Sequence, residues 1–266
     1  MFHQWMTRIR KQAFLLLCGL LYVTLPKADW MLPNFKAEFD VQFIGFNIGT
    51  AHQNFTCQLS RCTLRSEAKP EGLVAMFINE ASVETIQIEQ TPNHFLWLSY
   101  HKTLTRHKSD RTLIKKIDLV RKNDQILYLQ AKPNHPAQWP ASDHVYDAIS
   151  LAYAITYRLA NHQPLLPLQL QDEKGQYPLK LLTHKEDDIE LPWLDDEVKA
   201  HYLKLDSTQA AIQLWILQDP HTLNGFKAFP AIIEVYNKQT EKTVRLALKS
   251  SPHSSHAIKR AFNETE

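Results

Sequence analysis

Residues 34–50 read NFKAEFDVQFIGFNIGT. Phe35, Ala37, Phe39, Val41 and Phe43 alternate with Lys36, Glu38, Asp40 and Gln42. A period of two puts the two sets on opposite faces of an extended chain and predicts a half-buried strand. Gly45 and Gly49 predict a bend or bulge before the next strand. The same alternation returns in VETIQIEQ, HFLWLSYHKTL, IKKIDLVRK and QILYLQA, separated by the turn-like TPNH, HKSD and KNDQ. It returns again in LPLQLQD, YPLKLLTH, HYLKLD, AAIQLWILQD, AFPAIIEVYN and TVRLALKS.

Two stretches break this rhythm. PEGLVAMFI, residues 70–78, predicts a short apolar helix with proline in its first turn. SDHVYDAISLAYAITYRLA predicts a longer helix over residues 143–159. Ser142 or Asp143 is its N-cap, Val145, Ile149, Ala152, Tyr153, Thr156 and Leu159 lie on one side, and Pro164 and Pro167 lie beyond its end. Roughly a dozen strands and two helices, with no linker-like shift in composition, predict one mainly β domain over residues 29–250. The expected architecture is a strongly curled antiparallel sheet, a half-barrel or open barrel, with one central helix and one short helix. Residues 251–266 read as a polar tail.

The N-terminus changes the picture by supplying a compartment. Arg8, Arg10 and Lys11 precede an apolar run from Ala13 to Leu25, which matches a secretory signal over residues 1–28 with cleavage after Ala28. The expected location is the periplasm, with membrane association as the alternative if the signal stays on the chain. Of the 3 cysteines, Cys18 leaves with such a signal. Cys57 and Cys62 remain, with the four residues QLSR between them, and in an oxidising compartment a hairpin there predicts a disulfide across its two strands.

Composition bounds the rest. With 266 residues, 44% hydrophobic and 22% charged, the chain has material for a real core. A net charge of +2 implies no strong polyanion partner, export argues against nucleic acid, and 6 glycines leave little for a glycine-rich phosphate loop. The 13 histidines include no HExxH pair, and no serine sits in GxSxG. Residues 186–197, EDDIELPWLDDE, gather acids without the Asp-x-Asp-x-Asp-Gly order of a calcium loop. These patterns predict no metal, no cofactor and no catalytic residue. A hydrolase built on Asp147, Ser150 and a distant histidine lacks a visible base.

Two surfaces are expected to matter. Residues 101–122 concentrate Lys102, Arg106, Lys108, Arg111, Lys115 and Lys116, a basic face suited to anionic head groups or envelope glycans, or simply a solvated strand face. Phe39, Phe43, Trp97, Leu214 and Ile216 alternate on strands far apart in sequence, and Leu151 and Tyr153 lie on the central helix. One curled sheet would bring them to a common concave face. There they form either a core or the lining of a pocket for an apolar or lipid-like molecule.

Three segments together resemble the bacterial family known as domain of unknown function 3108. They are the opening FDVQFIGFNIGTA, the helical YDAISLAYAITYRL and the closing LWILQD, FPAIIEV and LAL strands. Tyr146, Asp147, Ser150, Leu151, Tyr153 and Arg158 fit the family's D-x-x-S-x-x-Y helix, and the resemblance spans residues 34–250. The basic middle and the cysteine pair depart from it. The resemblance implies an exported, mainly β protein of unassigned activity and transfers no catalytic residue. The function expected is that of a non-enzymatic envelope protein that holds an apolar or lipid-like ligand. The alternative is an assembly partner of another envelope component, docked through the basic face and edge strands.

Overall fold

The computed structural model describes residues 30–71, 80–107, 111–130 and 138–254. Its strands are β1 (Phe35–Phe43), β2 (Phe46–Gln58), β3 (Arg61–Pro70), β4 (Glu80–Gln90), β5 (Phe95–His107), β6 (Thr112–Lys122), β7 (Gln125–Tyr128), β8 (Gln138–Pro140) and β9 (Val145–Tyr146). One described helix follows, α1 (Ala148–Ala160). Then come β10 (Gln169–Gln171), β11 (Gln176–Pro178), β12 (Lys180–Ile189), β13 (Val198–Asp206), β14 (Ala210–Leu217), β15 (Phe229–Asn237), β16 (Lys242–Leu248) and β17 (His253–Ser254). The protein is mainly β, with one large antiparallel sheet and one helix among the described residues. The short helix expected over residues 70–78 and the signal over residues 1–28 lie outside the described residues, apart from Pro70, which ends β3, and Glu71, whose backbone N–H donates to the Ile48 carbonyl.

The large sheet has 14 strands in the order β12-β13-β14-β15-β16-β1-β2-β3-β4-β5-β6-β7-β8, with β17 added on β1. Its path is open, with β12 and β8 as edges. The C-terminal strands fold back onto the N-terminal one: Phe39 pairs with Leu248 and Phe43 with Val244 across β1 and β16. Alternation builds the ladder as expected. Phe35 and Phe39 of β1 are wholly buried, while Lys36 is exposed. A second sheet of three short strands, β11-β10-β9, carries the only parallel pair among the described residues.

Two-residue turns set the first registers. Ile44 (φ 49°) and Gly45 (φ 80°) join β1 to β2, both in the left-handed region that such a hairpin needs. Leu59 and Ser60 join β2 to β3, and Cys57 lies directly opposite Cys62, joined by the expected disulfide.

The helix begins later than its periodicity predicts. Val145 and Tyr146 are drawn into β9, and the N-cap is Asp147, whose Oδ1 accepts from the backbone N–H of Ile149 (2.9 Å) and Ser150 (3.0 Å). Ser142 and Asp143 lie in the turn before it. Ser150 to Arg158 are buried on every side of α1, so no face of it is left to solvent. Tyr153 stacks on Phe35 of β1 (5.3 Å between ring centres) and meets Phe229 of β15 edge-on (5.9 Å). Its hydroxyl donates to Gln53 of β2. Asp147 accepts from Trp97 of β5. At the other end the Arg158 guanidinium donates to the carbonyls of Pro164, Leu165 and Pro167, which holds the exit loop. No described helix is long and apolar enough to cross a membrane.

Candidate functional site

The residues expected to line a concave apolar face divide in two. Phe39, Trp97, Leu151, Tyr153, Leu214 and Ile216 are each 0% exposed and belong to the core around α1. There the helix fills the space and leaves none for a ligand. Phe43, the seventh, stands at a cavity of about 620 Å³ that begins where the helix ends, above Asp147, Ala148 and Ile149. The space comes from small side chains. Ala51, Ser66, Ala68 and Ser82 lie where larger residues would close it, and Gly49 comes so near β3 that a Cβ there would stand 2.0 Å from the Lys69 carbonyl oxygen.

The cavity has two unlike walls. Val41 and Phe43 of β1, Ile48 and Ala51 of β2, Ile233 and Val235 of β15, and Val244 and Leu246 of β16 make an apolar side. Facing it, β4 and β5 bring Glu80, Ser82, Glu84, Tyr100 and Lys102, relieved only by Leu104. The ladder explains why. Glu84 pairs with Lys102 and Ile86 with Tyr100, so an acid and a base fall in phase with the buried residues below them.

This polar wall is an ordered cluster. Lys102 Nζ lies 2.8 Å from Glu84 Oε1, and the Tyr100 hydroxyl donates to Glu84 Oε2 at 2.7 Å. The Lys102 and Glu84 side chains are 24% and 12% exposed. Burial opposes the charge on Lys102, but the attraction and hydrogen bond of Glu84, with Glu173 and Asp147 further off, outweigh it and hold its pKa above the ordinary value. Burial and the Glu84 charge push the Tyr100 phenol well up, so it stays a neutral donor. Asp147, at the floor, is raised by burial and the Glu84 charge, against hydrogen bonds from Ser150 and Ile149.

The basic face predicted over residues 101–122 does not form one surface. Lys102 enters the cavity with Glu84, Arg106 pairs with Glu80, and Lys115 lies 3.2 Å from Glu173. Lys116 stands opposite Thr103, on the other side of the ladder from Lys115, which stands opposite Leu104. Adjacent strand residues point to opposite faces, so a run of bases in sequence is split in space. Arg111 is exposed just before β6, and Lys108 lies outside the described residues.

Ser150 is wholly buried, and its hydroxyl donates to Asp147 Oδ2 at 2.5 Å, with no histidine in contact. Among the described residues no three of His, Cys, Asp and Glu gather as a metal site.

Sequence reasoning missed Glu84, Tyr100 and Lys102 as cavity residues. A signal existed for Glu84, which keeps the period-two phase of Ile86 and Ile88 while the apolar Val83 takes the opposite one. For Lys102 it was hidden. A bulge at Leu98 shifts the phase between Trp97 and Tyr100, so counting inward positions from Trp97 fails.

No protein-family model and no curated protein matches the chain. Among solved structures, it is similar to a beta-barrel-like protein of domain of unknown function 1849 from Brucella abortus. The TM-score is 0.49, with 8% identity over 84% of this chain and 98% of that one.

Proposed function

We propose that this chain is a non-enzymatic, exported envelope protein whose sheet curls as a half-barrel around α1. Its task is to hold an apolar or lipid-like ligand in the cavity above the helix N-terminus. The observation that carries the reading is that cavity. Its volume of about 620 Å³ lies within the roughly 300–1,000 Å³ of small-molecule sites, and its largest wall is hydrocarbon. About eight methylenes laid on that wall would contribute about 6 kcal/mol.

The curl is supported by the reach of the helix. It touches β15 and β5, which are six ladder steps apart along β15-β16-β1-β2-β3-β4-β5. A flat sheet would separate them by about 29 Å at ~4.8 Å per step, whereas a helix is only about 10–12 Å wide. Export rests on the signal-like residues 1–28 and agrees with the Cys57–Cys62 bond. The D-x-x-S-x-x-Y helix keeps the domain of unknown function 3108 family as the proposed kinship.

The test is titration with a neutral apolar dye, N-phenyl-1-naphthylamine, whose fluorescence rises out of water. Wild type is expected to bind it saturably, and Ala68→Trp, which fills the cavity, to lose that binding while its circular dichroism and Tm stay unchanged. No saturable binding by wild type, or full binding by the folded variant, overturns the reading.

A further inference from the structure

The unlike walls say what kind of head group the cavity takes. An ammonium has three N–H donors, and Lys102 uses one on Glu84 Oε1, with no second partner among the described residues. Each Glu84 oxygen already accepts one bond, from Lys102 or from Tyr100. Lys102 therefore has N–H donors to spare, and a ligand atom beside it should be an acceptor.

Charge then chooses among acceptors. Asp147 is fully engaged: Oδ1 accepts two backbone N–H groups, and Oδ2 is hydrogen-bonded to the Trp97 indole N–H at 2.9 Å and to the Ser150 hydroxyl. In the polar wall the negative charge of Glu84 is met by the positive charge of Lys102, a balanced pair. The Glu80–Arg106 pair is likewise balanced, and the other two lining bases, Lys69 and Lys242, are exposed to solvent, Lys242 lying 5.6 Å from the centre of the Phe43 ring. A carboxylate or phosphate head would add an unbalanced negative charge beside the half-buried Glu84. An ammonium head would compete with Lys102 for Glu84. A carbonyl oxygen accepts from Lys102 and adds no charge.

We infer that the occupant is an uncharged acyl ester or amide. Its carbonyl accepts from Lys102, and its chain lies along the wall made by β1, β2, β15 and β16. This rests on the reading above that the cavity binds an apolar molecule. A free hydroxyl or amide N–H on the same head would donate to Glu84 or Ser82.

The experiment displaces the bound dye with a chain-matched series: monolauroylglycerol, laurate and dodecylamine. The neutral ester is expected to displace at a concentration at least about tenfold lower than either charged amphiphile, the scale of one hydrogen bond to a charged group. In Lys102→Met, checked for folding by circular dichroism, that preference for the ester over the two charged amphiphiles should disappear. Independently of any variant, the ester carbonyl stretch should move to lower wavenumber when bound to wild-type protein. Equal or tighter binding of laurate or dodecylamine, a preference that survives in Lys102→Met, or an unshifted carbonyl stretch overturns the inference with the binding reading intact. Absence of dye binding by wild type removes both together.

Discussion

Asp147 joins the helix, the sheet and the cavity floor, and replacing it tests whether that junction is structural. Asp147→Ala removes the N-cap of α1, a loss of about 1 kcal/mol. It also strips the partner from two buried donors, the Trp97 indole N–H and the Ser150 hydroxyl, at about 1–3 kcal/mol each. The sum, near 5 kcal/mol, corresponds to a fall in Tm of about 10–20 °C for a chain of this size. Asp147→Asn keeps an oxygen for the Ile149 and Ser150 backbone N–H groups but turns an amide NH₂ toward Trp97, so about 1–3 kcal/mol is expected. Urea unfolding followed by tryptophan fluorescence and far-ultraviolet circular dichroism reads both variants. A companion Trp97→Phe variant should couple to Asp147 by about 1 kcal/mol or more in a double-mutant cycle. The pH dependence has a defined sign. Burial raises the folded pKa of Asp147 above 3.8, so the folded state holds the proton more tightly than the unfolded chain. The contribution of this group to stability therefore falls as pH rises through the window between those two values. The advantage of wild type over Asp147→Asn should shrink across that same window. A cost below about 1 kcal/mol for Asp147→Ala would refute the reasoning, as would an Asp147→Asn protein of wild-type stability that no longer functions in cells.

Ile44→Asn should stabilise the protein by about 1 kcal/mol, read as a higher urea midpoint. A β-branched residue at φ 49°, 56% exposed, loses little burial and gives way to the Asn-Gly pair that a type I′ hairpin favours; a lower midpoint would contradict this. Unreduced, denatured protein should label with iodoacetamide at neither Cys57 nor Cys62, whereas labelling of both would exclude the bond. Replacing both by alanine should cost about 2 kcal/mol, because the loop they close is short.

The sequence by itself determined what depends on neighbours along the chain. Phe35, Phe39 and Val41 share a face because strand side chains alternate, so β1 and most later strands were legible wherever one face is apolar. The Cys57–Cys62 pairing followed from a tight turn between two such strands, and the central helix from its own periodicity and its flanking prolines. What the tertiary structure decided depends on distant partners. Val145 and Tyr146 satisfy a helical pattern, yet β10 offers them a ladder, which moves the cap to Asp147. Trp97, Leu214 and Ile216 were rightly placed on the inward side, but α1 covers them and leaves open the part above its N-terminus. The bulge at Leu98 turns Tyr100 and Lys102 inward, so bases that read as one solvated stripe became an ion pair in a cavity wall. Period two is a local steric rule, whereas the register of a strand and the position of a helix over it are set by what they pack against.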